Sequence, residues 1–327
     1  MDTNTVQEFN HRPETGAPGT DPKLETKRII LYLAITFIIT YIVEIGVIRP
    51  LVTGENTQLA MTGRLLISTV MFIPALGVLL TRLITKEGFR NSLLRMPSFK
   101  SKLPYYLISW FGPALLTLLG ACIYFALNPS KFDPNLSVLA DTYRNAGVEA
   151  TASQLQTTLA MQIATAFFLG PLLNIINCFG EEWGWRGYLL PKMKKKFSII
   201  PVLLINGVIW GVWHAPLTAL GHNYGIGYAG FPYTGILAMI LFCIVLGTIF
   251  TFLTIRTNSC IPAMFAHGSM NSIAAAGIYL SVGGGNPFIG PSPTGILGGI
   301  GFLAAAAVMA VLMVRDERKK RSPQPLS

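Results

Sequence analysis

Six residues of this chain combine reactive side chains with helical spacing: Glu181, Glu182, Arg186, His214, His267 and Asn271. Glu182 and Arg186 are four apart, so on a helix they share a face and can pair. Glu181 points about 100° away from Glu182 at 3.6 residues per turn, on the face of Asn177 and near that of Asn174. His214 stands four residues after Trp210, and His267 four before Asn271. Of the four histidines, only these two fall within long apolar stretches. Taken singly, each segment has a plain structural reading: a helix-end ion pair for Glu182–Arg186, an interhelical hydrogen bond for either histidine. Taken together they supply what hydrolysis needs. A glutamate in apolar surroundings can activate water as a general base. Imidazoles can share that task, bind zinc as neutral ligands, or donate to an oxyanion. An asparagine amide donates without bringing a charge. There is no HExxH and no GxSxG, and Ser269 lies on a different helix face from His267.

The elements that must carry these residues are membrane helices. Hydrophobic residues make up 51% of the 327, charged residues only 12%, where a soluble domain has about 25%. The mean hydropathy is +0.52. The apolar residues come in blocks close to the ~20 residues that cross a bilayer as a helix, a form that satisfies its own backbone hydrogen bonds. The pattern predicts an all-α integral membrane protein of about eight transmembrane helices, at roughly 29–48, 63–83, 104–127, 157–180, 199–219, 233–255, 260–282 and 294–314. Its active-site cavity is expected within the helix bundle. At 1.5 Å per residue, His267, Glu181 and His214 stand about 12, 16 and 22 Å from the cytoplasmic end of their helices, close enough to meet with tilt or a break.

Charge sets the orientation. With the N-terminus inside, every Lys and Arg except Arg49, Arg64, Lys131 and Arg144 falls on the cytoplasmic side, as the positive-inside rule requires. Both termini are therefore expected in the cytoplasm. The net charge of +10 fits contact with anionic membrane lipids better than nucleic acid. The chain divides into a disordered cytoplasmic tail (1–28, without the pattern of a signal peptide), N-terminal transmembrane helices (29–127), a catalytic membrane core (157–282), a last transmembrane helix (294–314) and a basic cytoplasmic tail (315–327). Cys122, Cys178, Cys243 and Cys260 show no CxxC spacing and read as small core residues. Gly295 and Gly299 form a GxxxG pair, expected to pack the last helix. Intramembrane Glu and His also suit a proton-coupled transporter, although no internal repeat supports one. A membrane binding or immunity protein that holds its partner without cutting it is the other alternative.

The three motifs, EEWGWR at 181–186, WGVWH at 210–214 and HGSMN at 267–271, resemble the pattern of the CPBP (CAAX protease and bacteriocin-processing, or Abi) intramembrane metalloproteases: EExxxR, an aromatic four residues before His, and HxxxN or HxxxD, in that order. The similarity covers about residues 157–280, with Trp210 where phenylalanine is common. It implies an intramembrane endopeptidase that hydrolyses a membrane-associated or lipidated peptide or protein. By resemblance Glu181 is the water-activating base and Glu182–Arg186 its supporting pair. His214 is a second activator, and His267 with Asn271 stabilises the oxyanion. A Zn2+ ion on His214 and His267 is a further implication. The flanking residues resemble the prokaryotic branch, which implies a bacterial plasma membrane.

Overall fold

The structure, a computed structural model, describes residues 21–321. Helix α1 (Pro22–Thr53) opens with Asp21, whose side chain accepts from the Lys23 amide at 2.9 Å, and with Pro22 in the first turn. It therefore starts seven residues before the expected span, and residues 22–28 of the expected tail are helical; residues 1–20 lie outside the described part. Helices α2 (Thr57–Val70) and α3 (Ile73–Ile84) form a pair bent by 47°. The bend falls at Phe72, just before Pro74, whose missing N–H suits the first turn of a new helix.

Next come α4 (Phe99–Leu127), α5 (Ser137–Asn145) and α6 (Ala152–Phe168), the last begun by a reciprocal Thr151–Gln154 cap. The expected fourth span is broken. After α6 the chain makes a short turn at Gly170–Leu173 and restarts as α7 (Ile175–Glu182). Gly170-Pro171 explains the break, because a proline cannot continue the hydrogen-bond ladder behind it. A wider π-helical stretch (Trp183–Leu189) follows, then a last turn to Lys194. The remaining helices are α8 (Ile199–Trp213), α9 (Tyr233–Thr257), α10 (Ile261–Ile273) and α11 (Ile300–Arg321).

Among the described residues, α1, α4 and α9 are long and apolar enough to cross a membrane, and the bent α2–α3 pair makes a fourth such unit. Helix α8 is apolar but shorter. Helix α10 ends at Ile273, nine residues short of the expected span, and α11 starts at Ile300 and continues to Arg321, through part of the expected basic tail.

Burial is inverted relative to a water-soluble protein. On α1 the buried residues are Glu25, Arg28, Tyr32, Thr36, Thr40, Glu44 and, alone among the aliphatic ones, Ile48, while Ile30, Ile38 and Ile42 are about three-fifths exposed. Apolar side chains facing outward and polar ones inward mark a molecule whose solvent is lipid. The interior is dominated by large rings, Trp185, Trp210, Trp213, Tyr32, Tyr188 and Phe250.

Helices α8 and α9 meet closely through Gly207 and Gly211. A Cβ on Gly207 would stand 2.6 Å from Ile244 Cα, and one on Gly211 would clash with Ile240. This is the small-residue contact expected between membrane helices. The Gly295–Gly299 pair does not play that part. Both residues precede α11, in a turn where their Cα atoms face backbone of Ile289, Gly290 and Pro293.

Candidate active site

Four elements converge on one buried cluster. Glu181 and Glu182 come from the end of α7, Arg186 from the π-helical stretch behind it, Trp210 and His214 from the end of α8, and His267 from the middle of α10. Glu182 and Arg186 are fully buried, and Glu181, His267 and His214 nearly so. Arg186 Nη1 lies 3.1 Å from Glu182 Oε1 and 3.0 Å from Oε2. The expected pair is thus formed, and it is fully removed from solvent. A buried ion pair needs further partners to offset its desolvation. Glu182 Oε1 also bonds His267 Nδ1 at 2.9 Å. The Arg186 guanidinium lies over the Trp210 ring at 4.3 Å and the Phe250 ring at 5.2 Å, so the cation rests against π electrons. Gly247 on α9 leaves the room: a Cβ there would come within 3.1 Å of Arg186 Nη2.

Trp210 is the hub, a role that its position four before His214 does not reveal. Its indole N–H donates to Glu181 Oε2 at 2.7 Å. Its ring meets His214, His267 and Phe250 at centroid distances of 5.7, 5.5 and 5.9 Å. Its carbonyl bonds His214 Nδ1 at 2.8 Å.

These contacts give the two histidines different chemistry. A carbonyl can only accept, so His214 Nδ1 carries the proton and its Nε2 is left with a lone pair in the neutral ring. His267 gives its Nδ1–H to a carboxylate, the arrangement that stabilises a second proton on Nε2. One imidazole is set up to accept and the other to donate. A further aromatic contact fixes His214: Trp213 stands edge-on at 4.7 Å, itself held by its indole N–H donating to Thr40 Oγ1 of α1 at 2.8 Å.

Asn271 is the exception among the expected residues. It sits one turn beyond His267 on α10 but is exposed rather than gathered into the buried cluster. Beside it, Ser272 accepts from the Asn174 amide at 2.8 Å, tying α10 to the break before α7. Among the described residues, no three His, Cys, Asp or Glu side chains stand together as a metal site. His214 and His267 make two imidazole ligands, one fewer than the three protein ligands of a catalytic zinc. Cys243, whose Sγ lies 3.9 Å from His214 Nδ1, touches the nitrogen that is already engaged.

Residues 163–273, which contain all three motifs, match the model of the Rce1-like type II CAAX prenyl endopeptidases. A curated relative, CAAX prenyl protease 2 of Methanococcus maripaludis, is 24% identical over 196 residues, covering 59% of this chain and 64% of that protein. Over this region the chain is similar to the CPBP, or CAAX protease, family. The family match begins within α6 and ends with α10, so it takes in the helix break at Gly170, the buried ion pair and both histidines. Helices α1 to α5 and α11 fall outside it, although α1 supplies Thr40 to the Trp213–His214 pair. The match with the relative spans just under two thirds of that protein's length.

Proposed function

We propose that this protein is an intramembrane endopeptidase that hydrolyses a peptide bond with a water activated by Glu181. The observation that carries the reading is the opposite wiring of the two histidines, His267 to the Glu182 carboxylate and His214 to the carbonyl of Trp210, whose indole N–H holds Glu181. In this mechanism Glu181 removes a proton from water while His214 Nε2 accepts the water's other hydrogen and orients it. The water oxygen attacks the scissile carbonyl carbon, and the carbonyl oxygen takes the negative charge. His267 Nε2–H donates to that oxyanion, and the expected second donor, Asn271, would have to turn in from its exposed place one turn along α10. Glu181 then passes its proton to the leaving nitrogen as the C–N bond breaks. Glu182 and Arg186 hold His267 in its donating form.

The substrate is read as a membrane-associated peptide or protein with an apolar or lipidated end, because the cluster lies in a bundle whose outer surface is apolar. The name of the archaeal relative, a prenyl protease, points the same way. We further read the chain as eight spans with both termini in the cytoplasm of a bacterial plasma membrane, its basic side against anionic lipids. In that arrangement the short helices α7, α8 and α10 reach the site from one side of the membrane. A divalent ion such as Zn2+ on His214 and His267 would be an alternative to this wiring, because it would need the Nε2 that His267 uses here as a donor; it would supply Lewis-acid polarisation of the carbonyl. No step above depends on it.

The test is cleavage of a membrane peptide by purified protein in lipid. Glu181→Gln is expected to lose at least about 100-fold in kcat and His267→Ala about 100- to 1000-fold, with binding of the peptide retained. A chelator arm reads the ion: dialysis that lowers activity, restored by Zn2+, supports the two-histidine site. If both variants cut as fast as wild type, the protein is not a protease of this mechanism.

A further inference from the structure

The segment between α3 and α4, residues 86–98, is a strap across the end of the bundle where α9 turns into α10. It is tied inward to the two elements that carry Arg186 and His267. The Leu93 carbonyl accepts from the Cys260 amide at 2.9 Å, the Cys260 thiol at 3.2 Å and the Ser259 hydroxyl at 3.4 Å. Ser259 and Cys260 lead into α10, and His267 lies about two turns further along it. Glu87 takes the Tyr188 hydroxyl at 2.8 Å and pairs with Lys192, both from the chain that continues past Arg186. Ser92 lies against the same stretch: its carbonyl would stand 3.1 Å from a Cβ on Gly187.

The outward side of the strap differs. Lys86, Arg90, Arg95 and Lys100 are exposed, and none of these side chains has a hydrogen-bond or ion-pair partner among the described residues. Glu87, the single acid from 86 to 103, is already engaged. Among the cations stand Phe89, Leu94, Met96 and Phe99, each between 37% and 50% exposed. The apolar surface runs on along α4 through the exposed Leu103 and Leu107. Cations interleaved with apolar side chains at the end of a membrane bundle fit an anionic lipid surface. The apolar groups enter between acyl chains while the cations meet headgroup phosphates. A polyanion in water would take the cations but leave the apolar patch uncovered.

The backbone of the strap needs support. Lys86, Asn91, Leu93 and Ser98 all have positive φ, between 50° and 61°. A non-glycine residue keeps this left-handed conformation only where its surroundings hold it. The bonds to Leu93 and Glu87 hold the strap from inside. We propose that an anionic lipid surface holds it from outside, with headgroup phosphates at Arg90, Arg95 and Lys100, and that this contact steadies the start of α10 and with it the His267 side of the site. The regulatory half of the inference rests on the reading of the cluster as a protease site. The strap lies outside the region of the family match.

Hydrogen exchange of the full chain in lipid nanodiscs tests this without a substrate, with the Cys260 amide, the donor to Leu93, as reporter. Adding phosphatidylglycerol to phosphatidylcholine discs should slow its exchange about fivefold or more, the equivalent of one cation held by an anionic surface. The combined variant Arg90→Gln, Arg95→Gln, Lys100→Gln should exchange at one rate in both lipids. Inorganic phosphate added to phosphatidylcholine discs should not reproduce the slowing. In cleavage assays phosphatidylglycerol should raise kcat of wild type and leave that of the combined variant unmoved. Exchange that ignores phosphatidylglycerol, a combined variant that responds as wild type does, or a slowing produced by phosphate alone overturns the inference. Equal kcat of wild type in both lipids overturns its regulatory half. A chain that shows the lipid-dependent exchange but cuts no peptide loses the protease reading and keeps the lipid contact, so the two failures are distinguishable.

Discussion

At the scale of single residues, the site is held by one ion pair within a helix and two bonds between helices. Glu182–Arg186 follows from four-residue spacing on one helix, and the ion pair forms as that spacing requires. The bonds from Trp210 to Glu181 and from His267 to Glu182 cross helices that are 29 and 85 residues apart in the chain. No periodicity encodes such a distance. Trp210 is the clearest case: its spacing marks it as a neighbour of His214, while its indole N–H in fact fixes the carboxylate. Trp210→Phe keeps the ring and removes only that donor. A hydrogen bond to a charged group contributes about 1.5–3 kcal/mol, so kcat is expected to fall by roughly 10- to 100-fold, with the thermal midpoint little changed. Steady-state kinetics beside a melting curve separates this outcome from a general loss of fold.

At the scale of elements, composition identified the helices, and the breaks followed chemistry that a hydropathy window averages away. Residues 157–180 are apolar throughout, yet Gly170-Pro171 divides them and lets α7 turn Glu181 inward. The two GxxxG pairs show the same limit. Gly295–Gly299 and Gly207–Gly211 are equivalent as patterns, and only the second lies where two helices touch. Gly207→Ala would push a methyl into the Ile244 backbone, and a helix cannot yield as a side chain can. The expected cost is about 1–3 kcal/mol, read as a lowered melting temperature, with Gly112→Ala on α4 as the comparison, where a Cβ meets only Ile108 at 3.6 Å. The loop elements have their own anchor. The amides of Asn135 and Ser137 donate to Asp133 at 3.0 and 2.7 Å, and the Ser137 bond above all holds this carboxyl below the usual aspartate range. A depressed folded value stabilises the fold above the unfolded value of about 3.9, and that contribution is lost as the pH falls through the folded value. Hydrogen exchange at Ser137 should therefore lose its extra protection only in acid, and Asp133→Ala, costing about 1 kcal/mol, should remove the pH step.

At the scale of the whole molecule, the buried polar stripe of α1 ends in a cluster of charges that fastens the chain's separate parts. Arg28 pairs with Glu25 at 3.2 Å, and Lys192, from the turn after the site, bonds both Glu25 at 3.2 Å and Glu87 beyond α3. Tyr188 donates to the same Glu87 at 2.8 Å. Loop charge alone counts Lys192 as one more cytoplasmic cation, free to face lipid headgroups. In the fold it is buried and joins α1, α3 and the segment that continues from Glu181. Removing one member of a buried network leaves the others uncompensated, a loss of about 3 kcal/mol or more. Lys195, which reaches Glu25 at 3.5 Å with its side chain 54% exposed, should matter far less, about 0–1 kcal/mol. Lys192→Met is thus expected to lower the melting temperature clearly and Lys195→Met hardly at all, although both remove one positive charge from the same loop. Adding Glu87→Gln to Lys192→Met should recover part of the loss, because it removes a carboxylate that the first change stranded. Equal effects of the two lysine variants would mean that net charge at the membrane surface, rather than the buried cluster, holds α1 against the site.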